Sequence, residues 1–355
     1  MTATPAIAVP QVVAVDPRSD PRWRELAATP GASLFTSPPW MSAVGGTYDL
    51  VPEGRVLVGA DGRPLDGLAW VRVRDARGDR LSSLPFSDRA EPFGGGAAHW
   101  EALVRDALAS QLPLTVRGLD HAPAAGDPRF RLVGEAAWHG LPLTGALEEV
   151  HARASAGTRR NLRAAASNGV RTIAAADIES VRCLHRLHVA LRKRKYRMLA
   201  QPLALFERIW SEFASRDGVL TVLAVVDDRP IAGALYLVWN DVLYYKFGAS
   251  IAEELTRRPN EAIHWAAIRW AKERGLRLLD WGLSDLDQPG LLRFKRKWGS
   301  VERRIVTLRA GEPPVDERGA ELGEVLRDLA RLLTDESVPD EITARAGAAL
   351  YRYFC

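Results

Sequence analysis

The densest group of residues able to do chemistry lies late in the sequence, in the segment Gly290–Gly299. It reads Gly-Leu-Leu-Arg-Phe-Lys-Arg-Lys-Trp-Gly, so that Phe294 directly precedes Lys295 inside a basic run. A lysine ammonium is a compact point charge that can stabilise a phosphate or a developing oxyanion. Lys295 is therefore the leading catalytic candidate, and Phe294 either packs beside it or contacts a ligand. The alternative is that Lys295 is one solvated cation among several.

A second group follows an apolar strand predicted over Leu276–Trp281. Asp280 lies near the end of that strand, and Ser284 lies in the loop that follows it. Ligand sites in α/β sheets commonly lie where strands end. Asp280 is therefore a candidate to accept a proton from a ligand or to orient that ligand. Alternatively, its carboxylate only caps the amides of the loop.

A third group lies on the strand predicted over Val242–Gly248. Because side chains alternate along a strand, Tyr245 and Phe247 are expected on one face, and Tyr244 and Lys246 on the other. We favour Lys246 as the residue that faces a cleft, since burial of its amine without a partner is costly.

The distribution of charge along the chain is uneven. Residues 153–208 carry thirteen Arg and Lys against three acids, whereas residues 312–341 carry ten acids against three Arg. The basic region favours a polyanionic partner such as phosphate groups or RNA. The alternative is a basic and an acidic helix face that attract each other.

The elements that must position these residues fall into two halves. The chain has 355 residues, which is suitable for two domains. Strand and helix patterns after residue 150 follow the order α-α-β-β-β-α-β-β, and a looser β-β-β-α-β order precedes them. A single helix is predicted over residues 146–167, ending at Asn168-Gly169. We therefore predict an α/β (α+β) fold with domains at residues 1–145 and 146–310, and an acidic helical extension at residues 311–355.

Several classes of protein are not expected from this composition. No segment approaches the roughly 18 apolar residues of a membrane span, and Met1–Val15 lacks the basic start of a signal peptide. Cys183 and Cys355 are isolated, so neither a disulfide framework nor a thiolate metal site is expected. His185 and His188 are three apart on a predicted helix without an acidic partner, which favours a structural role over metal binding. A reducing, cytoplasmic location fits.

Taken in order, the motifs resemble those of the FemAB and related BioF2-like acyltransferase family. The family shows a Tyr-Lys strand ending in Gly-Ala-Ser, a Pro-Asn helix start, an Asp-x-Gly-x-Ser strand end and a Phe-Lys-x-x-Trp/Phe-Gly motif. The matching segments here are Tyr245–Ser250, Pro259-Asn260, Asp280–Ser284 and Phe294–Gly299.

The resemblance implies two tandem GNAT-like domains and acyl transfer to nitrogen by a bacterial, cytoplasmic enzyme. The best-known members move an amino acid from aminoacyl-tRNA to an amine of a peptidoglycan precursor. In that motif the lysine lies near the reacting ester and the terminal phosphates of the donor, which implies this role for Lys295. An arginine and tyrosines hold the acceptor phosphates in such enzymes, and Arg194, Tyr196 and Arg197 are the candidates. Arg160 is a candidate contact for phosphate or tRNA.

The acyl donor is predicted from the segment Thr256–Glu261. CoA-dependent GNAT enzymes hold the pyrophosphate on backbone amides of a glycine-rich turn at a helix N-terminus. This segment contains no glycine, Pro259 lacks an amide donor, and Glu261 adds a negative charge. We therefore favour aminoacyl-tRNA as a co-substrate, with no bound cofactor and no metal. The alternatives are an acyl-CoA-dependent N-acyltransferase and a non-catalytic GNAT-like binding module.

Overall fold

The computed structural model contains runs of strands and runs of helices, and it describes residues 10–75, 78–94, 96–312 and 317–354. Cys355 and the first nine residues, which the predictions above include, lie outside this description. The strands are β1 (Gln11–Val15), β2 (Pro52–Val58), β3 (Pro64–Asp75), β4 (Gly78–Ser82), β5 (Leu114–Leu119), β6 (Arg131–Pro142), β7 (Arg171–Ala175), β8 (Val219–Val226), β9 (Arg229–Trp239), β10 (Val242–Ser250), β11 (Leu278–Asp285) and β12 (Val301–Ala310). The α-helices are α1 (Pro21–Ala27), α2 (Pro38–Tyr48), α3 (Ala97–Ala109), α4 (Leu147–Arg153), α5 (Ala156–Ser167), α6 (Ile178–Tyr196), α7 (Leu203–Ala214), α8 (Pro259–Glu273), α9 (Pro289–Arg296), α10 (Glu317–Leu333) and α11 (Asp340–Leu350).

The chain divides into two compact units that differ from the predicted domains. Unit 1 comprises residues 1–135 and 304–316, and unit 2 comprises residues 136–303 and 317–355. The boundary falls inside β6 and inside β12 rather than near residues 145 and 310. One reason is that residues 305–310 of β12 pair with β5 of unit 1.

Unit 1 contains a mixed sheet packed against α3. Strands β1 to β4 pair in sequence order and antiparallel, β4 pairs with β5 in parallel, and β5 pairs with β12 antiparallel. Trp100 and Leu103 of α3 are buried against Trp70 of β3. Helix α2 begins with a capping serine, because the Ser37 hydroxyl accepts a hydrogen bond from the Trp40 amide and Pro38 is the first helical residue.

Unit 2 contains the strands in the order β6-β11-β10-β9-β8-β7. Its pairs are antiparallel, except that β10 and β11 run in parallel. Leu220 and Val222 of β8 are buried in one cluster with Ile263 of α8. Leu223, the residue after Val222, points to the other face, where α6 supplies Leu184 next to Gly233. Helix α8 and helix α6 therefore cover opposite faces of this sheet.

The single helix predicted over residues 146–167 is instead two helices, so this prediction was wrong. Helix α4 ends at Arg153, and Ala154 takes an extended conformation. Ser155 then caps α5, because its hydroxyl accepts a hydrogen bond from the Thr158 amide at 3.1 Å. A serine that satisfies the free amides of a new helix favours a break at this point.

Across the described ranges, no helix has both the length and the apolar composition that crossing a bilayer requires.

Candidate active site

The central feature of unit 2 is a gap in the ladder between the parallel strands β10 and β11. Their pairing runs only from Val242 opposite Leu278 to Tyr244 opposite Asp280. Strand β10 nevertheless continues to residue 250 and β11 to residue 285. The two strands therefore separate after Tyr244 and Asp280. The separation leaves a gap between two neighbouring strands of the sheet, at the position where β11 departs from regular pairing with β6.

A bulge in β10 sets the direction of the side chains at this opening. The register against β9 shifts between Tyr245 and Phe247. The Tyr245 ring packs 5.0 Å from His264 of α8, whereas the Phe247 ring packs 4.4 Å from Phe206 of α7. The prediction that Tyr245 and Phe247 share a face was therefore wrong, because the extra residue of a bulge reverses the alternation. Lys246, inside the bulge, is half-buried.

Strand β11 has a bulge of its own where it leaves β10. Its register against β6 shifts between Asp280 and Leu283, so that Trp281 and Gly282 lie between two paired positions. Gly282 has a φ of +68°, a left-handed conformation that glycine adopts without steric cost. The bulge turns three consecutive carbonyl groups towards one point.

Lys295 occupies that point. Its Nζ donates hydrogen bonds to the carbonyl oxygens of Trp281 at 2.6 Å, Gly282 at 3.1 Å and Leu283 at 3.2 Å. The side chain is only 2% exposed, whereas the neighbouring Lys297 is exposed. The alternative of a solvated lysine is therefore wrong. Helix α9 carries Lys295 on its buried side, and the ammonium brings a positive charge to the end of the β10–β11 ladder.

Asp280 and Ser284 lie on either side of this bulge. Asp280 is 2% exposed, and its Oδ1 accepts a hydrogen bond from the Gly282 amide at 2.7 Å, which is the capping role considered as the alternative. Ser284 is 1% exposed, and its hydroxyl has no hydrogen-bond partner among the described residues. The structure therefore places Asp280, Ser284 and Lys295 around one bulge, although Ser284 lies within β11 and not in a loop after the strand, as was predicted.

A cluster of aromatic rings forms one wall beside Lys295. The His264 ring lies 4.7 Å from Trp281 and 5.5 Å from Phe294, and Trp281 lies 5.9 Å from Trp298. Phe294 is half-buried and packs on these rings, so the structure supports a packing role for it. The Tyr236 hydroxyl and His264 Nδ1 are hydrogen-bonded at 2.6 Å.

Burial in this ring cluster determines the protonation states of His264 and Tyr245. Burial, with a smaller contribution from the Lys295 charge, lowers the pKa of His264 to about 3. Burial also raises the pKa of Tyr245 to about 12. Near neutral pH the imidazole is therefore uncharged and the phenol is protonated. The ammonium of Lys295 thus lies beside neutral rings, where its field is weakly screened.

His139 and Glu302 belong to the same region, although the sequence analysis did not identify them. His139 of β6 is fully buried, and its Nε2 lies 2.9 Å from a carboxylate oxygen of Glu302 on β12. Arg296 of α9 forms a two-pronged ion pair with the same carboxylate. No local motif connects these residues, because His139 and Glu302 are 163 positions apart.

The basic cluster at the end of α6 is bound to the C-terminal helices. The Lys193 side chain is 3% exposed, and its ammonium lies 2.9 Å from Asp340 Oδ1. Arg194 lies 3.1 Å from Asp340 Oδ2, and Arg197 lies 3.0 Å from Glu336. The alternative that the basic and acidic regions attract each other is therefore confirmed within unit 2.

Two further predicted contact residues lie on the surface. Tyr196 is exposed, and the Lys195 ammonium lies 5.0 Å from its ring centroid. Arg160 is exposed on α5. The structure assigns no ligand to either residue, so their roles stay predictions.

The N-terminus of α8 has the features expected from the sequence. Arg258, with a φ of +64°, precedes the helix without a side-chain cap, and Pro259 is the first helical residue. The Glu261 carboxylate accepts a hydrogen bond from Asn161 of α5 at 2.7 Å. This contact holds a negative charge in the first turn, where an anion would otherwise be favoured.

Comparison with known proteins agrees with this architecture. Residues 152–296 match the family model of the acetyltransferase (GNAT) domain. A search of curated proteins found no significant match to the sequence. A crystal structure of FemX is 14% identical, with a TM-score of 0.64, and the alignment covers 86% of this chain and 97% of FemX.

Two other solved structures have the same fold at similar identity. L-PGS from Bacillus licheniformis has a TM-score of 0.52 at 12% identity, covering 90% of this chain and 98% of its own. A tandem GNAT protein from the clavulanic acid biosynthesis pathway has a TM-score of 0.51 at 15% identity, covering 87% and 100%. The predicted mixed α/β fold with GNAT-like halves is therefore confirmed, and residues 152–296 match a GNAT domain within a fold similar to that of FemX.

Proposed function

We propose that this protein is an N-acyltransferase that moves an aminoacyl group from aminoacyl-tRNA to an amine. The acceptor is an amine of a peptidoglycan precursor, or of a small molecule or peptide. One observation carries the proposal: inside the GNAT domain, two parallel strands separate next to the buried ammonium of Lys295. An aminoacyl-tRNA donor places the reaction in the cytoplasm, where tRNA is charged.

The opening between β10 and β11 fits the requirements of acyl transfer. The reaction needs the ester and the amine held in register, and it needs stabilisation of the tetrahedral oxyanion. Beyond Tyr244 and Asp280 the two strands no longer pair with each other, which leaves space between them for the reacting groups, and Tyr245 and Phe294 pack in the ring cluster beside Lys295. Lys295 supplies positive charge, which stabilises a developing negative charge through a weakly screening environment.

Aminoacyl-tRNA is favoured as donor by the geometry of α8. Its N-terminus begins with Pro259, lacks glycine and holds the Glu261 carboxylate in place through Asn161. A fixed carboxylate repels a pyrophosphate at the position where a GNAT enzyme would bind CoA. The basic surface of α5, which includes Arg160 and Arg163, stays available to an RNA backbone.

The donor can be identified by two measurements on the full chain. Transfer is assayed with a mixed pool of charged tRNA and with acetyl-CoA, each with a panel of amine acceptors, before and after RNase treatment. Thermal unfolding is measured with and without acetyl-CoA. We expect transfer from charged tRNA that RNase abolishes, and no stabilisation by acetyl-CoA. Stabilisation by acetyl-CoA together with RNase-insensitive transfer would identify the alternative, an acyl-CoA-dependent N-acyltransferase.

A further inference from the structure

The ring of His139 lies beside the β11 bulge, and one of its two nitrogens is hydrogen-bonded. The ring is fully buried, and its Nε2 lies 2.9 Å from Glu302. Its Nδ1 is buried and has no hydrogen-bond partner among the residues that the structure describes. A buried polar atom without a partner is uncommon in native structures and is costly to maintain for stability alone.

The contacts of Glu302 determine which ring nitrogen carries the proton. A hydrogen bond from Arg296 is the main cause that holds the pKa of Glu302 below its usual value, so the carboxylate is ionised and can only accept. His139 Nε2 must therefore donate. Burial and the nearby Lys295 charge lower the pKa of His139, so the ring is neutral near pH 7. The lone pair of the neutral ring consequently lies on Nδ1.

The register of β6 places His139 beside the β11 bulge, to which Lys295 is bonded. Gly140 pairs with Asp280, and Trp138 pairs with Leu283, so His139 lies opposite the two bulged residues of β11. His139 shares a strand face with Leu141, which is buried in the same cluster as Trp281 and Trp298.

The charged groups around the ring come from three elements. Helix α9 supplies Lys295 and Arg296, strand β12 supplies Glu302, and the paired strand β11 carries Asp280. The nearest acidic partner, Glu302, is bonded to the ring and can stabilise an imidazolium when Nδ1 takes up a proton.

We propose that His139 is the general base of the amine acylation, with Glu302 as its positioning residue. The inference rests on the proposed function. The amine nitrogen bonds to the acyl carbon, and its surplus proton passes to Nδ1 of His139. When the bond from the acyl carbon to the donor oxygen breaks, the leaving oxygen takes that proton. His139 then returns to its neutral form, and no other reactant is consumed. Glu302 stabilises the transient imidazolium through Nε2, as carboxylates do in other histidine-based acyl transfer.

The kinetic test compares the wild type with His139→Gln and Glu302→Gln under the assay that establishes transfer. General base catalysis contributes about 10²–10⁴-fold, so we expect His139→Gln to lower kcat/KM by at least about a hundredfold. The wild-type rate should fall on acidification as His139 takes up a proton, and His139→Gln should lose this dependence. Added imidazole should partly restore the rate of His139→Gln. His121→Gln, at an exposed histidine of unit 1, is the matched control.

The outcomes separate this inference from the proposed function. If the wild type shows transfer and His139→Gln keeps the same rate and pH profile, then His139 is not the general base, and the proposed function still stands. If the wild type shows no transfer, then both the proposed function and the proposed role of His139 are wrong. Nitrogen-15 NMR of the His139 ring provides a readout that needs no activity. We expect a proton on Nε2 in the wild type and a mixture of tautomers in Glu302→Gln, and a proton on Nδ1 in the wild type would overturn the proposal.

Discussion

Lys295 combines a buried positive charge with three hydrogen bonds to consecutive carbonyl groups of β11. Loss of the side chain removes the charge and leaves buried carbonyl oxygens without a donor. We expect Lys295→Ala to reduce kcat/KM for transfer by about a hundredfold or more, and to lower the free energy of unfolding by about 1–3 kcal/mol. The measurements are steady-state kinetics and urea unfolding of the same preparations.

Lys297→Ala is the control for this prediction, because Lys297 lies two positions away and is exposed. The control should retain activity and stability. If Lys295→Ala is folded and as active as Lys297→Ala, then the ammonium takes no part in transfer and serves the bulge alone.

Residues that carry a local motif could be predicted from the sequence, whereas residues brought together from a distance could not. Phe294 and Lys295 lie within one basic segment, and Asp280 and Ser284 follow an apolar strand. The structure places these four residues around the β11 bulge or in the ring cluster beside it. His139 lies in a short apolar stretch that has no motif of its own. Its contact with Glu302 of β12 forms only in the folded protein, so the sequence does not show it.

At the scale of helices and strands, periodicity predicted most elements of unit 2 but not its irregularities. The hairpins of β8, β9 and β10 follow alternating apolar residues, which is why their positions agree with the prediction. A bulge adds one residue to a strand and produces no repeating pattern in the sequence, so periodicity cannot predict it. The alternation predicted for a regular strand therefore fails here, since the bulge places Tyr245 and Phe247 on opposite faces.

The contact between α6 and α11 gives a prediction about stability. Lys193 is 3% exposed in the side chain, and its ammonium is bonded to Asp340 and to the Val338 carbonyl. Removal of the acid leaves a buried charge without its counter-ion, a change that costs about 3–5 kcal/mol when both partners are fully buried. Because Asp340 is 38% exposed, we expect Asp340→Asn to cost about 2 kcal/mol in urea unfolding.

Two further variants test the cause of that loss. The double variant Lys193→Met with Asp340→Asn should recover most of the stability, since apolar replacement of a buried ion pair is often neutral. Glu336→Gln, which breaks the exposed pair with Arg197, should cost less than about 1 kcal/mol. Equal losses in Asp340→Asn and Glu336→Gln would show that burial of Lys193 is not the source of the effect.

For the molecule as a whole, the uneven distribution of charge is partly neutralised inside unit 2. The formal net charge is +4, and two of the acidic C-terminal residues, Glu336 and Asp340, pair with the basic end of α6. This pairing reduces the positive field available to a polyanion near Arg194 and Arg197. It leaves the arginines of α5 as the better candidates for contact with RNA.

Buried histidines connect the stability of the whole fold to pH. Burial lowers the pKa of His188 to about 3, and the ring is held by a 2.7 Å hydrogen bond to the Gln201 side chain. An unfolded histidine has a pKa of about 6.5. Between these values the unfolded chain binds a proton that the folded chain does not, so stability falls as pH falls. Once the unfolded residue is fully protonated, each such histidine contributes about 1.4 kcal/mol per pH unit.

The contribution of His188 can be isolated as a difference in slope. We expect the free energy of unfolding of the wild type to decrease from pH 6 to pH 5, and the slope for His188→Gln to be smaller by about 1.4 kcal/mol per pH unit. The comparison of slopes is insensitive to any constant loss of stability caused by the substitution itself. His121→Gln should keep the wild-type slope, because His121 is exposed. Parallel slopes for the wild type and His188→Gln would mean that His188 takes up its proton in the folded protein as readily as in the unfolded chain.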